Sequence, residues 1–246
     1  SYTPELPAPY ARYLKDGTRV IKTNHTWMRM VDAKTDATLV EYDLSMHDEN
    51  ASLAPLAIDE NEHYVVSSDA YGMVYVWDLP TGKCLHAVKG HAGWARAVAI
   101  DAEGDTIATT GLDKELKIWS TRTGRCTDTI TLQGGACALA LDGNEGWALL
   151  GRDYGEILLL SLPDGAEMGH MRGAYEKVEY LQFVERKDEL YGLSCSGGEV
   201  RLWDVLGDRC LKTVEGHRCW WDGKGAVFID AFDHTLRWPL PAFGAH

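Results

Sequence analysis

Positive charge is scarce in this sequence. Against 37 Asp and Glu residues there are 24 Lys and Arg, a formal net charge of −13, and the basic residues never cluster densely. The electrostatic footprint that neutralises phosphates is therefore missing, which argues against nucleic acid as a direct partner. The acidity favours solubility and is suited to steering a basic partner toward the chain. Long hydrophobic runs are missing too. The apolar stretches are strand-sized, so no membrane-spanning helix is expected, and the N-terminus lacks the basic-plus-apolar layout of a secretion signal. A soluble, cytoplasmic protein is the expectation. Motifs for chemistry are also absent: HExxH, GxxxxGK[ST], GxSxG and GxGxxG do not occur, and the nine histidines show no metal-ligand spacing. No catalytic residue, metal or cofactor is expected, and the chain does not read as an enzyme.

What is there is a repeat. Val74-Tyr75-Val76-Trp77-Asp78, Leu116-Lys117-Ile118-Trp119-Ser120 and Val200-Arg201-Leu202-Trp203-Asp204 share one pattern, with Trp77 and Trp119 separated by 42 residues and Trp119 and Trp203 by 84. The skipped period holds Ile157-Leu158-Leu159-Leu160-Ser161, where Leu160 replaces the tryptophan. Weaker copies occur at Met28-Arg29-Met30-Val31-Asp32 and Leu236-Arg237-Trp238-Pro239. Six copies fill the chain, and the terminal ones are the most degraded, as expected where a neighbour is lost or replaced.

Each copy has the same anatomy. Two short apolar runs precede the marker, as in Val98-Ala99-Ile100-Asp101, a turn, then Thr106-Ile107-Ala108-Thr109. A turn such as Pro80-Thr81-Gly82-Lys83 and a further strand follow it. Polar and glycine-rich turns between alternating apolar runs predict hairpins, so each unit reads as a four-stranded antiparallel meander. Such a unit cannot bury both faces alone, and stacking of the units predicts an all-β propeller, with six blades. Residues 1–246 read as one domain, with repeats over 8–47, 48–91, 92–134, 135–173, 174–217 and 218–246. Residues 1–7 are available to supply the strand that closes the ring, and closure removes an aggregation-prone edge. Small residues at Ala54, Ala57, Ala97, Ala99, Ala138 and Ala140 suit inner strands crowded around a narrow axis.

These residues resemble the WD-repeat (WD40) β-propeller family. Its Gly-His and Trp-Asp elements correspond to Gly90-His91 leading to Trp119, and to Gly216-His217 opening the last copy. The resemblance implies that His91, Thr109, Asp113 and Trp119 form a structural hydrogen-bond tetrad rather than a catalytic pair. Elsewhere the pattern decays. Tyr71, Tyr154 and Gly197 occupy the turn position of Asp113, Ala174 matches His91 in one copy, and two other copies have no clear histidine. Those blades are expected to rely on packing. The last copy retains His217 and Asp233, with Pro239 standing where the tryptophan should be.

Inner-strand starts at Ala54, Arg96, Cys137 and Glu179 make no acid/base or metal set. Binding is the better prospect, at loops on the narrow face: Trp94 and Arg96 follow His91 closely, Trp220 follows His217, Lys177 and Glu179 occupy comparable places, and Tyr71 and Tyr154 lie in adjacent turns. Trp and Arg are favoured at interface hot spots. The alternative is that these aromatics only plug the top of the ring. The family implies a protein or peptide partner and a scaffold role. A second reading is a sensor or regulatory propeller within a longer chain or complex, and an enzymatic or small-ligand propeller is a third. Cys84, Cys126 and Cys210 are one repeat position seen three times, so no disulfide framework is expected, and Cys137, Cys195 and Cys219 lack CxxC spacing. All six read as small buried residues.

Overall fold

The computed structural model describes residues 11–23, 27–48, 53–142, 146–173, 176–186, 189–216, 218–221, 226–231 and 234–239. Among them there is no helix. The strands pair antiparallel with their sequence neighbours and fall into two compact units, Ser1–Gly135 and Ala136–His246.

The first unit holds three four-stranded sheets. Blade one is β1 (Ala11–Tyr13), β2 (Arg19–Thr23), β3 (Met28–Asp32) and β4 (Thr38–Glu41). Blade two is β5 (Leu53–Ile58), β6 (Tyr64–Asp69), β7 (Met73–Asp78) and β8 (Cys84–Lys89). Blade three is β9 (Ala95–Ile100), β10 (Thr106–Gly111), β11 (Glu115–Ser120) and β12 (Cys126–Thr131).

The second unit continues the pattern. Blade four is β13 (Ala138–Asp142), β14 (Trp147–Gly151), β15 (Ile157–Ser161) and β16 (Glu167–Met171). Blade five is β17 (Val178–Arg186), β18 (Glu189–Ser196), β19 (Glu199–Asp204) and β20 (Arg209–Glu215). A sixth sheet has three strands among the described residues: β21 (Arg218–Trp221), β22 (Ala226–Ala231) and β23 (His234–Pro239). The fold class is the all-β propeller, with five four-stranded blades and this further sheet. Residues 1–7, the candidate for a closing strand, lie outside the described residues.

Burial grades across each blade. Along β7, Val74, Tyr75, Val76 and Trp77 are all buried, because the sheet is covered on both faces, whereas β12 and β20 are largely exposed. The marker tryptophans hold neighbouring blades together. Trp77 packs with Ile21, Met28, Met30 and Tyr42 of the preceding blade and segment, Trp119 with Val66, Val74 and Val76, and Trp203 with Leu149, Ile157 and Leu159. This is the nearest-neighbour packing of a repeat protein. Glycine before the histidine has a steric reason: a Cβ at Gly90 would lie 3.0 Å from the Trp119 ring and 2.8 Å from Val74.

Acidic residues at the strand ends act on the backbone. Buried Asp59 accepts from the N–H groups of His63 at 2.9 Å and Tyr64 at 2.6 Å, and Asp101 accepts from those of Asp105 and Thr106. The residue after each marker begins a turn: Asp78 accepts from the Thr81 N–H at 3.0 Å, and its carbonyl accepts from Gly82 at 2.9 Å. A register shift at Trp77, Trp119, Leu160, Trp203 and Val31 accompanies that turn. The residue closing it has positive φ: Gly82, Gly124 and Gly165 in three blades, Asp36 and Asp208 in the other two. One turn with a bulge is thus used five times, and the aspartate of Trp-Asp serves geometry rather than chemistry.

The cysteine expectation needs correction. Cys126 and Cys210 are exposed and Cys84 is half-buried. Their position opens the outermost strand, which faces solvent rather than a neighbouring core.

Candidate functional site

In blade three, His91, Thr109, Asp113 and Trp119 form one chain of hydrogen bonds. Trp119 Nε1 donates to Thr109 Oγ1 at 2.9 Å, Thr109 Oγ1 lies 2.7 Å from His91 Nε2, and His91 Nδ1 lies 3.0 Å from Asp113 Oδ1. An indole nitrogen can only donate, so the threonine hydroxyl is left to donate to Nε2, and Nδ1–H donates to the carboxylate. Burial pushes the His91 pKa down, against the pull of Asp113, and the neutral imidazole this requires fits the chain. Burial opposes ionisation of Asp113, but the Ala92 N–H and His91 outweigh it and lower its pKa. The same His91 and Asp113, with Glu115, are the one group among the described residues with metal-ligand spacing. Their donors are committed: His91 to Thr109 and Asp113, and Glu115 to Lys117 at 2.9 Å.

Blade two departs from the expectation that packing alone holds the other copies. His47 Nδ1 lies 3.3 Å from the Tyr75 hydroxyl, which donates to fully buried Asp69 at 3.0 Å. Tyr75 stacks on Trp77 at 5.4 Å, and Trp77 Nε1 donates to the Asp43 carbonyl at 2.7 Å. Burial, reinforced by Asp69, raises the Tyr75 pKa and keeps it a donor. The network is built from different positions: Asp69 comes from the strand end rather than the turn, and Tyr75 replaces the threonine as the link. Blade five keeps a part of it, with Trp203 Nε1 donating to Ser194 Oγ at 2.8 Å.

The surface candidates fall into two sets, one in each unit. In the first, the β6–β7 turn, the β8–β9 connection and the β10–β11 turn share one edge. Gly90 and His91 both donate to the Gly72 carbonyl, and Leu112 donates to the Trp94 carbonyl at 3.0 Å. Gly72 has φ +79, and a Cβ there would lie 2.3 Å from the carbonyl oxygens of both His91 and Gly93, so the Tyr71 turn is pressed against the Trp94 turn. Tyr71 and Trp94 are 48% and 49% exposed, and Leu112 is 56% exposed. Arg96 is half-buried in β9. Leu112 was not apparent from the sequence, since its neighbour Gly111 ends a strand and nothing in the spacing marks its direction. Lys89, whose ammonium donates to the Tyr71 carbonyl, and Lys114 are exposed around this edge, with Asp113 and Glu115 half-buried.

In the second unit, the Val178 N–H donates to the Arg152 carbonyl at 3.1 Å, which sets the turn carrying Tyr154 beside Lys177 and Glu179. Tyr154 is 83% exposed, and Lys177 and Glu179 are exposed. Trp220 lies in β21, whose entry is positioned by the Gly216 N–H donating to the Gly198 carbonyl. His217, Asp233 and Ala174 lie outside the described residues, and so do the side chains of Trp220 and Pro239.

Residues 82–120 match the family described as "WD domain, G-beta repeat". They run from the turn closing blade two through the complete tetrad. An E3 ubiquitin-protein ligase COP1 of Arabidopsis thaliana is 26% identical over 171 residues, about four periods, covering 68% of this chain and 25% of that protein. Over residues 82–120 the chain is similar to the WD-repeat family. Two other relatives from Arabidopsis thaliana are THO complex subunit 6, 28% identical over 44% of this chain, and Cell division cycle 20.5, cofactor of APC complex, 25% identical over 72%. This chain covers 30% and 41% of them. The chain therefore spans between a quarter and about two-fifths of these relatives. No helix among its described residues is long and apolar enough to cross a membrane.

Proposed function

We propose that this WD-repeat chain is a non-catalytic scaffold that binds a protein or peptide partner at the narrow face of the propeller. The observation that carries the reading is the edge of the first unit where Tyr71, Trp94 and Leu112 stand exposed on three adjoining turns. Three large apolar side chains held in place by backbone hydrogen bonds cost little further entropy to bind with, which is how interface anchors work. Arg96 extends this edge, and Tyr154, Lys177, Glu179 and Trp220 are the corresponding candidates of the second unit. The tetrad of His91, Thr109, Asp113 and Trp119 serves as scaffold. The net charge of −13 favours a basic partner at long range and disfavours nucleic acid. Six cysteines in no disulfide suit the reducing cytoplasm. Relatives named as a subunit of the THO complex and a cofactor of the APC complex support a role within an assembly.

Affinity capture from the source cells, comparing wild type with a Trp94→Ala/Leu112→Ala double variant of unchanged melting temperature, tests the face. Loss of the wild-type partners is expected, and undiminished recovery by the folded variant overturns the assignment. The second reading, a regulatory propeller within a longer protein, is favoured by the share of COP1 that the chain covers, 25%. The full reading frame decides it, since a frame confined to these residues removes that reading.

A further inference from the structure

We propose that Cys195 and Cys219 are a redox modification site: a dithiol that closes reversibly into a disulfide joining blade five to the sixth sheet. Cys195 lies in β18 and Cys219 in β21. Both are buried thiols in no disulfide, 2% and 5% exposed, and their sulfurs stand 3.0 Å apart. An S–S bond is ~2.05 Å long, so an approach of about 1 Å separates the pair from a bridge. The other four thiols are directed elsewhere. Cys84, Cys126 and Cys210 donate to carbonyls two residues on in their own strands, and Cys137 donates to the carbonyls of Gly151 and Val178.

The position explains the pairing. Ser67, Thr109 and Ser194 are equivalent, each paired across the hairpin with the residue two before its tryptophan. Cys195 is therefore the counterpart of Ser68, whose hydroxyl donates at 3.0 Å to the Ala95 carbonyl on the first strand of the next blade. The same position that links blades two and three by a hydrogen bond meets a second cysteine at the junction of blade five with the sixth sheet. Both cysteines belong to one buried apolar cluster with Leu193, Val200, Leu202, Val227 and Ile229. A disulfide is uncharged and apolar, so these surroundings accept it without a desolvation cost.

The oxidant fitting a buried pair is a small hydroperoxide, hydrogen peroxide being the simplest. One sulfur attacks the peroxide oxygen, the O–O bond breaks, and a sulfenic acid forms with release of one water. The second sulfur then attacks the sulfenic sulfur, the S–O bond breaks, and the leaving hydroxide takes the remaining proton as a second water. The two sulfurs lose two electrons and the peroxide gains them. A dithiol reductant reverses the bridge by thiol–disulfide exchange. Burial makes both directions depend on opening of the sixth sheet, a local event that the bridge itself then suppresses. A reducing cytoplasm keeps the dithiol open and peroxide closes it, the usual form of an intracellular disulfide.

The test treats the reduced full chain with hydrogen peroxide, and separately with oxidised glutathione, followed by alkylation and mass mapping of the non-reduced digest. We expect a product lighter by two hydrogens, a peptide linking Cys195 to Cys219, and a melting temperature higher by about 5–10 °C that dithiothreitol returns to its starting value. Cys219→Ser and Cys195→Ala should each abolish the linked peptide and the shift, while Cys84→Ser retains both. Recovery of Cys195 and Cys219 as alkylated, glutathione-capped or overoxidised residues without the linked peptide overturns the proposal, and so does a bridge that forms only in denaturant.

Discussion

Thr109 and Thr110 are adjacent, both fully buried in β10, and their hydroxyls have opposite fates. Thr109 Oγ1 joins Trp119 Nε1 at 2.9 Å to His91 Nε2 at 2.7 Å, whereas Thr110 Oγ1 has no hydrogen-bond partner among the described residues. Replacing each by valine keeps the branched shape and the strand preference and removes only the hydroxyl. At Thr109 this strands one indole N–H and one imidazole nitrogen in the core, at about 1–3 kcal/mol each. Burying the new methyl offsets roughly 0.8 kcal/mol. Thr109→Val should therefore destabilise by about 1–5 kcal/mol, while Thr110→Val removes a desolvated hydroxyl and should be neutral or stabilising by about 1–2 kcal/mol. Urea unfolding followed by tryptophan fluorescence measures both, with unchanged m-values required for the comparison. A Thr109→Val loss no larger than that of Thr110→Val would show that the tetrad is not the polar link described here.

The remaining expectations concern the same scaffold. His91 has a lowered pKa, chiefly from burial, so below about pH 6.5 the unfolded chain binds a proton that the native chain refuses. Stability at this site is full above that pH and declines as pH falls toward the folded pKa. Melting curves between about pH 8 and pH 5 should show this decline, and His91→Asn, less stable throughout, should show a shallower one. Gly90→Ala should cost about 1–3 kcal/mol by overpacking against Trp119 and Val74, and a melting temperature equal to wild type would contradict the contact. Asp36 has φ +59 at the turn position where three blades carry glycine, and its ion pair with Lys22 is exposed. Asp36→Gly should stabilise by roughly 0.5–1 kcal/mol, and a destabilised variant would mean that the pair outweighs the backbone.

Repetition made the scaffold legible. A strand–turn–strand unit recurring every 42 residues states its own length, its turns and its buried tryptophan, and the Asp59 and Asp101 turn caps follow from their fixed distance to Trp77 and Trp119. What periodicity averages over is what it could not show. The blade-two network was hidden because His47 precedes Trp77 by 30 residues, whereas His91 precedes Trp119 by 28, and because its link is a tyrosine on the marker strand itself. Cys195 and Cys219 were illegible for another reason: 24 residues and two different sheets separate them, and their meeting is a property of neighbouring blades rather than of one repeat.

The relocation in blade two bears on how a repeat acquires a surface. In blade three the turn residue Asp113 is held inward by His91 and by the N–H groups of Ala92 and Glu115. In blade two those duties pass to Asp69, which accepts from the Tyr71 and Met73 N–H groups at 2.9 Å each and from the Tyr75 hydroxyl. Moving the carboxylate into the strand end frees the turn position from the core, and there the chain carries Tyr71, outward and exposed. Blade four has Tyr154 at the same place, 83% exposed and the most exposed large hydrophobic among the described residues. In blades two and four an aromatic thus stands at the turn position that holds Asp113 in blade three, whereas blade five has Gly197 there.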